Sequence, residues 1–157
     1  MTIASFGGID AMIEKNVIIS VRGEQYFEDI DPDTVELTTE GRMTIADDGE
    51  IILEYHETEL TGMAGARSTV TYRTADRGLV SMIRSGLVST AMTFKAHHRA
   101  ICTYETPYMP FQVGIHCLVV ENRLLDGGTL VLDYIIEIRG ADVQRTTIRM
   151  NVVSLEG

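Results

Sequence analysis

Residues 42–55 read RMTIADDGEIILEY, a pattern that predicts a β-hairpin. Apolar and polar side chains alternate on both sides of Asp47-Asp48-Gly49, as they do on strands with one buried face. A three-residue turn with Gly49 in the left-handed conformation brings apolar residues together across the strands. The predicted pairs are Ile45 with Ile51 and Met43 with Leu53. A two-residue turn would instead set Met43 opposite Glu54, so the three-residue turn is preferred.

The same alternation continues along the chain and predicts an all-β protein. The predicted strands are Val17–Arg22, Thr34–Ala46, Glu50–Glu57, Arg67–Thr74, Leu79–Arg84, Val88–Lys95, Arg99–Glu105, Phe111–Glu121, Thr129–Arg139 and Val143–Val153. No stretch after residue 16 carries helical spacing for long enough to form a convincing helix. Consecutive strands with one apolar face and short turns favour a closed antiparallel up-and-down barrel of about eight to ten strands. A flattened sandwich is the main alternative.

Three further turns predict the register of their hairpins, and a slip of one residue would exchange the core and solvent faces. A three-residue turn at Gly140-Ala141-Asp142 pairs Leu132 with Met150, Tyr134 with Ile148 and Asp133 with Arg149. A two-residue turn at Ser85-Gly86 pairs Ile83 with Val88 and Leu79 with Met92. A turn centred on Met109-Pro110 sets Cys102 opposite Cys117 and Tyr104 opposite Ile115.

The composition is typical of one folded domain that has no nucleic-acid or membrane partner. The 157 residues are 45% hydrophobic and 23% charged, with a formal net charge of −10. That charge argues against a phosphate backbone and against an anionic membrane surface. No segment approaches the ~20 consecutive apolar residues that a membrane helix needs. Two cysteines without CxxC spacing favour a cytoplasmic location, where thiols stay reduced.

Several motifs between Met12 and Val152 resemble those of one bacterial family. They are Asn16–Gly23, Tyr55–Met63, Ile83–Gly86 before Met92–Phe94, Tyr104–Tyr108 and Leu132–Tyr134. Together they resemble the YwiB-like proteins, a family of unknown function with a calycin-like (lipocalin-like) β-barrel. The chain departs from the family at Met109, where members usually carry Gly. The resemblance implies the barrel fold and a cytoplasmic setting, and it supplies no activity.

The division of the chain follows from the same motifs. Residues 1–11 lie outside the resemblance, and Met12 is a plausible start of the native protein. We therefore predict an N-terminal extension, residues 1–15, and a single calycin-like barrel domain, residues 16–157.

The predicted inner face contains four tyrosines, which supply apolar area and a hydroxyl group each. They are Tyr55, Tyr72, Tyr104 and Tyr134, joined by Ser81, Thr90 and Thr146. These residues, with Glu57 at the barrel mouth, are the candidate binding site for a small apolar or amphipathic ligand. A filled core in which the hydroxyls bond to backbone or water explains the same residues more simply.

No motif indicates a metal, a cofactor or catalysis. The sequence has no GxSxG motif, P-loop or GxGxxG motif. Adjacent side chains such as those of His97 and His98 point apart on a strand, so they would not chelate one ion together. We predict no cofactor and no metal, and we expect a binding protein rather than an enzyme. An enzyme using Glu57 and a tyrosine is the weakest hypothesis.

The outer face suggests an alternative function. Leu118 and Val120 are predicted on the outside with Ile101, and something should cover them. The N-terminal segment, with Ile3, Phe6 and Ile13, or a second copy of the chain could do so. The alternative is therefore a non-catalytic structural or interaction module, a homodimer with a filled barrel.

Overall fold

The computed structural model describes residues 2–6, 10–26, 31–56, 65–139 and 141–155, with side chains from residue 12 onward. These ranges contain eleven strands and no helix. The strands are β1 (Thr2–Phe6), β2 (Asp10–Tyr26), β3 (Asp33–Ala46), β4 (Glu50–His56), β5 (Arg67–Arg73), β6 (Asp76–Ser85), β7 (Ser89–Lys95), β8 (Arg99–Glu105), β9 (Phe111–Arg123), β10 (Thr129–Ile138) and β11 (Ala141–Ser154).

Ten of these strands, β2 to β11, close into an antiparallel barrel. From β3 to β11 each strand pairs with the next along the chain, and β2 closes the barrel between β11 and β3. β2 can do so because it is long: residues 17–26 pair with β11 and residues 12–25 pair with β3. β1 continues the sheet along the first part of β2. The predicted closed up-and-down barrel is confirmed, and the flattened sandwich is wrong.

The core occupies the barrel interior and is built from alternate residues of the strands. In β4, for example, Ile51, Leu53 and Tyr55 are buried, and the intervening residues are less so. This alternation follows from the pleat, which turns successive side chains to opposite faces. The first predicted hairpin is confirmed, since Met43 lies opposite Leu53. Gly49 has a φ of 91°, as its place in the turn requires.

The predicted register of the β10–β11 hairpin is wrong by two residues, a shift that preserves the faces. Leu132 lies opposite Ile148, because Arg139, with a φ of 54°, starts a shorter turn and a bulge follows beside Ile136. The charge pairing changes accordingly. Arg145 donates hydrogen bonds of 3.0 and 2.7 Å to the two carboxylate oxygens of Asp133, which the prediction had set against Arg149.

The predicted register of the β6–β7 hairpin is wrong by three residues, and this odd shift exchanges the faces. Met82 lies opposite Met92 and Val80 opposite Phe94, so that these four apolar side chains are buried. Ser81, which was predicted inside, is on the outer face. The connection has three residues, 86–88, instead of the predicted two.

The predicted β8–β9 register is also wrong, by four residues, because the connection is longer than a tight turn. Cys102 lies opposite Val113 and Tyr104 opposite Phe111. Cys102 and Cys117 are therefore not cross-strand partners, and both are free and buried. An even shift leaves their inward orientation intact.

The prediction of outward-facing apolar residues on β9 is wrong in part, because a bulge interrupts the pairing of β9 with β10. The register shifts beside Tyr134, so that Val120 lies opposite the buried Leu132 and packs against the core. Val119 lies opposite Asp133 instead. The prediction that Val120 faces outward is therefore wrong. Ile101, which is 72% exposed, does lie on the outside.

Candidate functional site

A cavity of about 170 Å³ opens at one end of the barrel, where the even-numbered strands finish and the odd-numbered strands from β3 onward begin. Its wall combines apolar and polar side chains. The apolar residues are Val21, Val35, Leu37, Met82, Met92 and Ile148, and the others are Gly23, Gln25, Tyr55, Arg84, Thr90, Tyr134 and Thr146. We call this space the barrel-end cavity.

The cavity exists because small residues occupy inward positions at this end. Gly23 lies on β2 between Val21 and Gln25, the two other wall residues of that strand. A Cβ atom added at Gly23 would meet no heavy atom within 4 Å. Thr90 and Thr146 are buried and short. The strands therefore hold their spacing, and the described side chains at this end do not fill the space between them.

The four predicted tyrosines all face inward, but the structure brings only three of them together. Tyr55 and Tyr134 line the barrel-end cavity. Tyr104 lies at the same end, opposite Thr90 on one side and Phe111 on the other. Tyr72 lies opposite Ile51, four residues along β4 from Tyr55, which places it about 13 Å away toward the other end.

The hydroxyl groups of Tyr134 and Tyr72 differ in their partners. Burial raises the pKa of Tyr134, and a hydrogen bond with Thr146 opposes this rise in part. The side chain of Gln144 donates a further bond of 2.9 Å to the Thr146 hydroxyl. The Tyr72 hydroxyl is buried and has no hydrogen-bond partner within the part of the chain that the structure describes. Burial raises the pKa of Tyr72 to about 12.

Arg84 is a cavity residue that sequence reasoning missed. It lies on the inner face of β6 in register with Val80 and Met82, and its Nε donates to the hydroxyl of the fully buried Ser68 at 3.4 Å. Burial raises the pKa of Tyr104 and that of Tyr134, and the positive charge of Arg84 opposes part of each rise. The miss follows from the wrong β6–β7 register. A prediction that paired Val80 with Phe94 and Met82 with Met92 would have placed Arg84 on the inner face.

The remaining predicted site residue is Glu57, and a separate charged cluster lies on the outer wall. Glu57 lies outside the residues that the structure describes. His116 Nδ1 is 3.9 Å from Glu137 Oε1 on the outer wall, beside Arg99, which bonds the same oxygen at 3.2 Å. No group of three or more His, Cys, Asp or Glu residues converges within the described ranges.

A larger depression on the outer wall is a weaker candidate for binding a ligand. It has a volume of about 550 Å³, and charged side chains such as Glu40, Arg42 and Glu54 line it. Glu54 already forms a 2.7 Å ion pair with Arg67. A solvated wall of cross-strand charges explains this surface, whereas the barrel-end cavity combines enclosure with a mixed apolar and hydroxyl lining.

These features define a class of protein, a calycin-like β-barrel with an interior cavity at one end. A family model described as "Domain of unknown function (DUF1934)" matches residues 19–150, and the chain belongs to this family. Together with the structural match to a ywiB protein described in the next paragraph, this membership confirms the predicted YwiB-like family. The family description supplies no activity.

One solved structure and one negative result complete the comparison. The chain is similar to the crystal structure of the ywiB protein from Bacillus subtilis, with a TM-score of 0.66 and 16% sequence identity. The match covers 88% of this chain and 92% of that one, and at this identity it shows the fold alone. No curated protein matches the chain. Among the described residues, no helix has the length and apolar character to cross a membrane.

Proposed function

We propose that this protein binds a small, partly apolar molecule in the barrel-end cavity. The observation that carries the proposal is the cavity itself, whose wall joins Leu37 and Met92 to the hydroxyls of Tyr55 and Thr90. Apolar walls with a few fixed polar groups are typical of small-molecule sites. Strands hold these side chains, so the site is largely preformed. Binding without catalysis suits a wall whose described residues include no pair of nucleophile and general base.

The volume of the cavity limits the size of the ligand. An apolar cavity of ~150 Å³ in a protein interior holds one benzene ring. The barrel-end cavity, at about 170 Å³, therefore suits a molecule with one ring or a short aliphatic chain. Haem and long-chain lipids exceed this volume.

The experiment is a binding measurement with ring-sized probes and a variant that fills the cavity. Indole and benzyl alcohol are titrated into isotope-labelled protein, and backbone amide shifts are followed by NMR. Gly23→Leu should abolish the shifts, because its side chain would occupy the open space at that position. Gly78→Leu is the matched control, since a Cβ there also meets nothing within 4 Å and Gly78 does not line the cavity.

The expected result is saturable shifts at the barrel end in the wild type and in the Gly78 variant, and their loss in the Gly23 variant. The same shifts in all three proteins would place binding elsewhere and contradict the proposal. Absence of saturable shifts in the wild type with both probes would also contradict it.

A second candidate, a homodimeric interaction module, is favoured by exposed apolar residues on the outer wall. Ile83 and Ile101 are 48% and 72% exposed and line one groove with Thr103. A second copy of the chain would bury them. Sedimentation should then show a dimer that dissociates in Ile101→Glu, while a monomeric wild type would contradict this candidate. We further propose a cytoplasmic location, which suits the two free cysteines.

A further inference from the structure

We infer that the end of the barrel at which the cavity opens carries a docking surface for a partner protein, whose contact face is apolar at its centre and basic at its edge. The inference goes beyond the binding of a small molecule and does not depend on it. The surface consists of Leu87 in the β6–β7 connection, Tyr108 and Met109 in the β8–β9 connection, and Phe111 at the start of β9. We call these four residues the rim patch.

The rim patch holds large apolar side chains in solvent. Tyr108 is 95% exposed, Leu87 is 82% exposed and Met109 is 67% exposed. Their two connections are neighbours, because Ser89, the first residue of β7, pairs with Glu105, the last residue of β8. Single exposed apolar residues are normal on a protein surface, whereas a group of them marks an interaction site. Tyrosine and methionine are also enriched in the centres of protein interfaces.

The β8–β9 connection has a fixed shape that presents these side chains. The hydroxyl of Thr106 accepts the backbone N–H groups of Tyr108 at 3.3 Å and Met109 at 3.2 Å, and it donates to the carbonyl oxygen of Met109 at 2.8 Å. The ring of Phe111 packs on that of Tyr104 with 5.2 Å between the centroids. A loop that is ordered in advance loses little conformational entropy when a partner binds.

The charge around the rim patch indicates a basic partner. Among the described cations within two residues of the connections at this end, Arg67 is exposed but forms an ion pair of 2.7 Å with Glu54, and Arg139 is the other exposed one. The exposed carboxylates of the same connections and strand ends are more numerous: Asp31, Asp33, Glu105 and Asp142. Opposite charges at the edge of an interface guide two proteins together and select against partners of like charge.

The same charge disfavours the two other surfaces that an apolar patch can meet. A second copy of the chain, with a net charge of −10, would bring the carboxylates of two rims together. An anionic membrane would also repel them. A protein with lysine or arginine around an apolar centre satisfies both the rim patch and its acidic border.

The test uses a fluorescently labelled peptide of leucine and lysine that forms an amphipathic helix, with a matched peptide that carries glutamate in place of lysine. Fluorescence anisotropy measures binding at pH 7, at low and at high salt. Tyr108→Ser and Leu87→Ser each truncate the rim patch, and Leu125→Ser truncates an exposed residue in the β9–β10 connection at the other end. Glu105→Gln removes a charge beside the patch, and Glu121→Gln removes an exposed charge from β9.

We expect the lysine peptide to bind, and Tyr108→Ser to weaken its affinity by about 10-fold or more, the effect of truncating a central contact. Glu105→Gln should weaken it by about 2- to 5-fold and reduce its dependence on salt. Leu125→Ser and Glu121→Gln should bind as the wild type does. Thermal unfolding checks that each variant is folded, and Leu87→Ser decides the question if Tyr108→Ser is not.

Several outcomes would overturn the inference. They are the absence of saturable binding, equal binding of the glutamate peptide, and an equal loss in Leu125→Ser. Adsorption to phosphatidylcholine vesicles that is lost in Tyr108→Ser would assign the rim patch to a membrane instead. A dimer in sedimentation that dissociates in Tyr108→Ser would assign it to a second copy. The titrations of the cavity with indole and benzyl alcohol are separate measurements, so each of these outcomes leaves the proposed function intact.

Discussion

Replacing Tyr72 with Phe should stabilise the protein, although Tyr72 is one of the inward tyrosines that were expected to bind ligand. The substitution removes one oxygen atom and keeps the ring. That ring is 4% exposed and packs in the core, so its apolar contacts persist in the variant. The hydroxyl has no hydrogen-bond partner within the described ranges, so the substitution breaks no such bond there.

The size of the effect follows from desolvation. A buried hydroxyl without a partner costs about 1–3 kcal/mol relative to a solvated one. Its removal should raise the free energy of unfolding by about 1–2 kcal/mol, because the small space left by the oxygen offsets part of the gain. In a chain of this length, 1 kcal/mol corresponds to about 2–4 °C in Tm. The expected increase in Tm is therefore about 2–8 °C.

Tyr134→Phe is the matched control, since its ring is equally buried but its hydroxyl bonds with Thr146. This variant should lose about 0.5–1.5 kcal/mol. Urea unfolding followed by circular dichroism measures both changes, and an unchanged m-value shows that the variants share one reference state. If Tyr72→Phe destabilises the protein as much as Tyr134→Phe does, the Tyr72 hydroxyl has a partner and the reasoning is refuted.

Three further predictions concern pH, the backbone and the thiols. The free energy of unfolding should fall as the pH rises from about 9 to 12, because burial raises the pKa of Tyr72 to about 12 and that of Cys117 to about 11. In the unfolded chain the same groups ionise near 10.0 and 9.0, so the unfolded state loses these protons first. Urea titrations at stepped pH measure the fall, which should be smaller in Tyr72→Phe, and an equal fall in that variant would contradict this assignment. Gly128→Ala should destabilise the protein by about 2–4 kcal/mol, because Gly128 has a φ of 76° and an added Cβ would lie 2.3 Å from the carbonyl oxygen of Val152. Gly78→Ala is the control, because a Cβ there meets open space, and it should change stability by less than about 1 kcal/mol in the same unfolding assay. Similar losses in both variants would refute the argument. Cys102 and Cys117 should form no disulfide within the chain under mild oxidation, because they lie four residues out of register. Thiol titration after denaturation should therefore find two free thiols. A fast-forming intramolecular bridge would show that the register is different.

The fold could be predicted from the sequence because alternation alone marks the strands. The hairpin at Gly49 was predicted down to its register, since the charges of Arg42 and Glu54 and the apolar Met43 and Leu53 all favour one pairing. At Ser85-Gly86 two registers each bury apolar residues. The choice depends on Phe94, whose large side chain must face the interior opposite Val80.

The candidate site was harder to predict than the fold, because it depends on bulges and on empty space. The β9–β10 bulge that turns Val120 inward has no signature in a strand where apolar residues are continuous. The cavity depends on the absence of a side chain at Gly23, and a glycine in a strand indicates a bend or a close approach of two backbones equally well. The inward orientation of Tyr55 and Tyr134 was predicted correctly. The inward orientation of Arg84 could be predicted only from the correct β6–β7 register.

The closure of the barrel by β2 has a consequence for how the protein folds during its synthesis. Val17 on β2 lies opposite Ser154 on β11, and Tyr26 lies opposite Arg145. These partners are more than a hundred residues apart in the chain, so forming them carries a large loop-closure cost that slows folding. As the chain is synthesised, the edge of β2 that pairs with β11 stays open until β11 leaves the ribosome. The nascent chain therefore exposes a long strand edge to other chains throughout the synthesis of the strands between them.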